Sequence, residues 1–372
     1  MWTTRGELVN IGGWPEATAA KPAPDQFDEV DHLALRPLLR RRSGPLCHKR
    51  LQQKGWSHVP GDQPGGSWSG QATVNLKIWS SWGITLWFMT TIVTTTGTGT
   101  PIPNPDRAGA GTHVQCGDVR MQFDAGRMTL NRLAQMGTNV SELSAIFLTH
   151  YHSDHVVGLT DLLLTHWVMD GQDDWPAVPV VAPNGHTTEF LDRMFSIWDN
   201  DLAVRSLHNG RAAEPKALTV GFDVPDTPAE VWASGDVHVF AGQVRHEPVE
   251  RAVGYRVETP DGVIVVSGDT KVCDEMAQLS QGADIVVYEA MRFDRIMERP
   301  PHMRYIMDYH ADTREIGRQA KQLEIPTLML THLIPAPGND GEKQSFVNDV
   351  REGGYEGEVI VCDDLSSVTL GV

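Results

Sequence analysis

The stretch Ala145-Ile-Phe-Leu-Thr-His150-Tyr-His152-Ser-Asp154-His155-Val-Val-Gly-Leu159 decides how this chain is read. Ala145 to Leu148 is an apolar run of the kind that forms a buried strand, and it stops at a polar cluster. Three imidazoles and one carboxylate follow within six residues, a donor set suited to zinc and related divalent ions. His150 and His152 are two positions apart, so extended backbone sends both side chains to the same side. Asp154 and His155 fall where the chain turns into a helix, expected from Val156 onward, and can aim elsewhere. One short turn can therefore serve two neighbouring ions. Single histidines often cap or fill, but His-x-His-x-Asp-His behind a buried strand is too ordered for that explanation.

This pattern resembles the first metal motif of the metallo-β-lactamase superfamily. Two ions need more ligands than one turn offers, and the chain carries a candidate for each further position in the family's order. His246 precedes an alternating strand, Asp269 ends the apolar run Val263–Val266 and its Ser-Gly turn, and His332 closes Leu328-Met-Leu-Thr. The resemblance implies that His150, His152 and His246 hold one ion. It gives Asp154, His155 and His332 the other, with Asp269 bridging the two. It also implies two Zn(2+) ions, each with three or four protein ligands and room for a shared water.

Within the superfamily, the ribonuclease Z-like branch is the most similar. Ile92-Val-Thr-Thr-Thr-Gly-Thr-Gly-Thr-Pro101 resembles its opening strand and loop, and Phe123-Asp-Ala-Gly126 its second glycine turn. His310, 22 residues before His332, resembles the branch's His-x-x-Thr element, whose histidine contacts the scissile phosphate and assists proton transfer. Glu289, in Val-Tyr-Glu-Ala, occupies the place of its His-Glu-Ala segment. The similarity runs from about Thr91 to Ser366. Three features depart from the tRNA 3′-processing pattern. Ser153 stands where glycine is usual, Leu333-Ile-Pro-Ala-Pro337 follows the last histidine, and no long basic insertion separates Leu159 from His246. That interval instead carries Trp167, Trp175, Trp198 and Trp232 among Asp170, Asp173 and Asp174. Those residues read either as a lid for a small, partly apolar ligand or as ordinary packing.

Charge favours the small ligand. The net charge is −17; the first 88 residues hold 10 basic and 7 acidic side chains, the remainder 21 and 41. Polyanion binding relies on lysine and arginine, so RNA is disfavoured as a partner. The expected activity is thus a binuclear-zinc hydrolase that uses a metal-bound hydroxide on an ester-like bond of a small molecule. Phosphodiester, sulfate ester, lactone and β-lactam substrates all fit. Asp154 would orient the nucleophile and His310 would stabilise or protonate the leaving oxygen. The alternative is a ribonuclease Z-type endonuclease that processes tRNA 3′ ends. A di-iron redox protein and an inert scaffold rank below both. His113, His166, His186, His208, His238 and His302 belong to no ordered motif and are read as non-ligands.

The chain has 372 residues, 40% hydrophobic, which is ample for a core. Its four cysteines (Cys47, Cys116, Cys273, Cys362) are scattered, which fits a reducing, cytoplasmic setting. Residues 1–88 combine Pro/Gly-rich stretches with Arg40-Arg41-Arg42 and show no sustained period. They read as a disordered or loosely packed N-terminal extension to a hydrolase domain spanning residues 89–372. Ile84–Val93 is too short to span a membrane, so no membrane partner is expected. Beyond Met89, strand and helix patterns alternate, which points to α/β layers. The resemblance makes these a four-layer αββα sandwich, and it implies a homodimer. No internal repeat is visible in the sequence.

Overall fold

The computed structural model describes residues 90–371 apart from 172–174, 211–214 and 216. The expectations for residues 1–88, the boundary at residue 89, and Cys47, Asp173 and Asp174 lie outside the described residues.

Fourteen strands form two seven-stranded sheets among the described residues. The first sheet contains β1 (Thr91–Gly97), β2 (Gly111–Cys116), β3 (Val119–Phe123), β4 (Ala145–Phe147), β5 (Pro179–Pro183) and β6 (Leu218–Phe222). The second contains β7 (Ala229–Ser234), β8 (Val237–Gln243), β9 (Val253–Thr259), β10 (Gly262–Val266), β11 (Ile285–Met291), β12 (Thr327–Ile334) and β13 (Glu358–Val361). The chain then returns to the first sheet, where β14 (Ser367–Leu370) pairs antiparallel with β1. Each sheet begins with antiparallel strands and ends with four mutually parallel ones, β3–β6 and β10–β13. The duplication that the sequence hides is therefore present in the topology.

Strand alternation builds the layers. In β4, Ala145 and Phe147 face the second sheet, where they meet Val239, Tyr255, Ile264 and Val287. Ile146 and Leu148 face the other way, onto helices α1 (Thr129–Met136), α2 (Ser153–Met169) and α3 (His186–Arg193). After α4 (Asp199–Asn209), the second sheet repeats this arrangement: Ile285 and Val287 point inward, and Val286 and Tyr288 outward. The outward side chains pack under α5 (Asp274–Leu279), α7 (Thr313–Gln322) and α8 (Asp340–Glu352), while α6 (Phe293–Met297) follows β11. Apolar residues on both faces explain why these central strands read as unbroken hydrophobic runs. The result is the expected αββα sandwich. Phe123 stacks on Phe147 at 4.7 Å in its centre, and Tyr255 donates a hydrogen bond to the Leu148 carbonyl at 2.7 Å.

Several elements are weakly marked in the sequence, each for an identifiable reason. β6, β7 and β14 are half-exposed edge strands with mixed composition. β2 buries His113 and Thr112, polar residues that blur its period. The α4 and α8 helices are largely polar and solvated. The helix after the histidine motif also begins earlier than expected, at Ser153, so Asp154 and His155 lie in its first turn.

The start of α2 is held close against the Phe123–Gly126 turn by backbone hydrogen bonds. Ala125 N–H donates to His155 O at 2.7 Å, and Gly158 N–H donates to Ala125 O at 2.9 Å. A Cβ on Gly158 would stand 2.0 Å from the Gly126 carbonyl oxygen, so only glycine permits this approach.

Candidate metal centre

All seven proposed ligands converge where loops leave the two sheets. His150 lies just beyond β4, Asp154 and His155 open α2, and His246 sits between β8 and β9. Asp269 follows β10, and His332 stands inside β12. Their side chains are buried, except that of His152, which is partly exposed. Two groups result: His150, His152, His246 and Asp269, and Asp154, His155 and His332.

Asp269 joins the groups. Its Oδ2 lies 4.0 Å from His150 Nε2, 3.8 Å from His246 Nε2 and 3.6 Å from His332 Nε2, and its Oδ1 lies 3.2 Å from His155 Nε2. His152 Nδ1 and His246 Nε2 are 3.2 Å apart, as are His332 Nε2 and Asp154 Oδ2. Tetrahedral ligands about 2.0–2.1 Å from one ion stand roughly 3.3 Å from each other, which matches this spacing. His150 Nε2, His155 Nε2 and Asp269 Oδ1 are buried without a hydrogen-bond partner. Orphaned polar atoms in such a place are costly unless a cation collects them. These clusters mark a divalent-metal site, and the residues present fit such an ion.

Asp124, which the motif reading passes over as part of a glycine turn, organises the cluster from behind. Its Oδ2 accepts from His155 Nδ1 at 2.7 Å and from the Thr149 hydroxyl at 2.8 Å, and its Oδ1 accepts from Thr149 N–H at 2.8 Å. A carboxylate can only accept, so the Thr149 hydroxyl donates to it and is left to accept from His150 Nδ1 at 3.0 Å. His246 Nδ1 donates to the Tyr309 carbonyl at 3.0 Å. Each bond fixes the proton on Nδ1 and turns a bare Nε2 toward the centre. Aspartates behind glycine turns are common, so nothing local in the sequence flags Asp124.

His332 reaches the site through a bulge. Glu289 pairs with Thr331 and Ala290 with Leu333, which leaves His332 as the extra residue, with φ at +45°. Bulges of this kind re-aim one side chain, here at a left-handed conformation costly for a non-glycine residue.

Burial holds the imidazoles of His150, His152 and His246 below the usual histidine range, which keeps their lone pairs free. For His155, burial is outweighed by Asp269 and Asp124, which raise it well above that range. Burial disfavours charge on Asp269, yet His155 and His332 drive its carboxyl well below the ordinary value. His310 donates from Nδ1 to Glu289 Oε1 at 2.8 Å. Burial opposes its charge, but Glu289 pushes it up to about 9. His310 also groups with Asp269 and His332, so it faces the same centre. Among the described residues, His113, His166, His186, His208, His238 and His302 join none of these groups.

Of the four tryptophans that read either as a lid or as ordinary packing, Trp167, Trp175 and Trp232 are packing residues. Trp232 stands edge-on to Phe147 at 5.6 Å in the inter-sheet core, and Trp167 is buried along α2. Trp175 packs under the first sheet's helices, and Trp198 is 40% exposed on the far side of α3 in sequence.

Residues 116–333 match the model of the beta-lactamase superfamily domain. Ribonuclease Z of Mycobacterium bovis is 34% identical over 277 residues, covering 74% of this chain and 97% of that protein. Ribonuclease Z of Mycobacterium marinum is 36% identical over 245 residues, covering 66% and 86%. Among solved structures, a metallo-beta-lactamase fold protein from Bacillus subtilis aligns with a TM-score of 0.58 at 19% identity, covering 75% of this chain and 99% of that one. The short form of human tRNase Z aligns at 0.55 and 20%, covering 74% and 98%.

Fold and site together define a metal-dependent hydrolase acting on ester bonds. The chain belongs to the metallo-β-lactamase superfamily, in its ribonuclease Z-like branch. These relatives correct two expectations, the small-molecule ester substrate and the disfavouring of RNA. A charge summed over the chain averages away local basic surface, and it is the local surface that meets a polyanion.

Proposed function

We propose that this chain is a ribonuclease Z-type endonuclease that cleaves the 3′ trailer from precursor tRNA, with two zinc ions as cofactor. The observation that carries this reading is the 34% identity to Mycobacterium bovis ribonuclease Z across 97% of that protein. His150, His152 and His246 would hold one ion, Asp154, His155 and His332 the other, and Asp269 both. When bound, such a pair supplies positive charge at a phosphate and makes water acidic enough to react near neutral pH.

The remaining steps belong to the protein's own side chains. Asp154 accepts a hydrogen bond from the attacking water and so orients it. As water adds to phosphorus and the P–O bond to the departing ribose oxygen breaks, His310 delivers a proton to that oxygen. Glu289, bonded to His310 Nδ1, holds the ring so that Nε2 points outward from the pair. One water is consumed, yielding a phosphate monoester and an alcohol. The buried free thiols Cys116, Cys273 and Cys362 support a cytoplasmic setting. Among the described residues no helix is long and apolar enough to cross a membrane.

The test compares a precursor tRNA carrying a 3′ trailer with nitrophenyl phosphodiesters, aryl sulfates and β-lactams. Single-site release of the trailer is expected. Intact RNA alongside rapid turnover of a small ester would overturn the reading.

A further inference from the structure

A graded series of rings leads outward from the metal centre along the segment before α7. His310 is buried, Tyr309 is half-buried, and Tyr305 is 61% exposed. Tyr309 lies 5.2 Å from the ring of His246 and 4.8 Å from that of His310, and Tyr305 lies 6.2 Å from Tyr309. Met303, 43% exposed, widens the apolar surface at the outer end. A tyrosine ring left this bare stands two ring-steps from a candidate ligand.

The charges beside it are mixed, with Asp308 exposed between the two tyrosines, but the arginines favour one kind of occupant. On the same stretch, Arg292 is paired with Asp294 and Asp349, and Arg295 with Glu298. Arg299 is exposed, and Arg304 donates to the Arg299 carbonyl at 2.8 Å. Among the described residues neither of these two guanidinium groups has a carboxylate partner. Two unneutralised arginines next to an exposed ring, in a chain of net charge −17, suit a single nucleic acid strand. Its bases stack on aromatic faces irrespective of sequence, and its phosphates attract guanidinium groups.

We propose that Tyr305 is a stacking platform for a nucleobase adjoining the scissile phosphate, with Arg299 and Arg304 meeting the neighbouring phosphates. The proposal rests on the tRNA-processing reading and names the surface that grips the strand. It also locates basic surface that the net charge conceals.

The experiment measures steady-state cleavage of a precursor tRNA by the wild type, Tyr305→Ala and Tyr305→Phe. Each protein is also given transcripts with an abasic nucleotide at each position flanking the cut. Circular dichroism and metal content confirm that the variants remain folded and loaded. Tyr305→Ala is expected to raise KM about tenfold, with kcat altered less than twofold, and Tyr305→Phe to restore the wild-type KM. One abasic position should raise the wild-type KM by the same factor and add nothing to Tyr305→Ala. An unchanged KM, or effects of the variant and the abasic site that multiply, overturns the platform while leaving the enzyme a tRNA nuclease. Failure of the wild type to cut the RNA at all overturns the functional reading, and the platform with it.

Discussion

Asp124 Oδ2 accepts the Nδ1–H of His155 at 2.7 Å, and the same carboxylate reaches His150 through the Thr149 hydroxyl. One side chain just beyond β3 thus orients a candidate ligand in each metal group. Asp124→Asn keeps the shape but can turn an N–H toward His155, favouring the wrong tautomer. Metal affinity is expected to fall about 10- to 100-fold, read by titration with a competing chelator. Wild-type affinity in the variant would remove Asp124 from this role.

In the proposed scheme Asp269 alone serves both ligand sets. Asp269→Ala should therefore lose both ions or hold them poorly, whereas His152→Ala should weaken chiefly one. Metal content after gel filtration separates the two cases. Full occupancy and full activity in Asp269→Ala would refute the bridge.

His310 lies outside both ligand sets in the proposed scheme, although it faces Asp269 and His332. His310→Ala is expected to lower kcat on precursor tRNA by about 10²- to 10⁴-fold while both ions stay bound. Loss of metal in this variant would make His310 a ligand rather than a proton donor.

His113 makes acid stability a measurable property of the first sheet. Both ring nitrogens are buried without a hydrogen-bond partner, and burial lowers its value from 6.5 to about 4. Below pH 6.5 the unfolded chain binds a proton that the folded chain refuses until about pH 4. The stability from this group is complete above pH 6.5 and is lost progressively as pH falls to about 4. The loss amounts to roughly 3 kcal/mol at the acid end. His113→Gln should flatten this part of the dependence, so that the Tm gap between wild type and variant changes between pH 7 and pH 5. A constant gap would mean that the imidazole is solvated or paired.

The local patterns in this chain suffice for the alternation of strands and helices around the central strands and for naming seven side chains that the fold brings together. Buried parallel strands are apolar on both faces, and ligands follow them at strand ends, so both signals lie within a few consecutive residues. Even the helix after His152 was legible, although its start was misplaced by three residues because Asp154 and His155 look like turn residues.

What required the tertiary structure depends on partners distant in sequence. Asp124 serves His155 from 31 residues away, His332 is re-aimed by a bulge against β11, and β14 joins the first sheet only after the second is complete. Lid and packing are equally compatible with the tryptophans in sequence, and only the contact with Phe147 shows Trp232 to be core. A charge total disfavours RNA because it carries no positions, whereas Arg299 and Arg304, without a carboxylate partner among the described residues, emerge only after their neighbours have found carboxylates. Composition and period report what a residue prefers; which groups it leaves unsatisfied is settled by what packs around it.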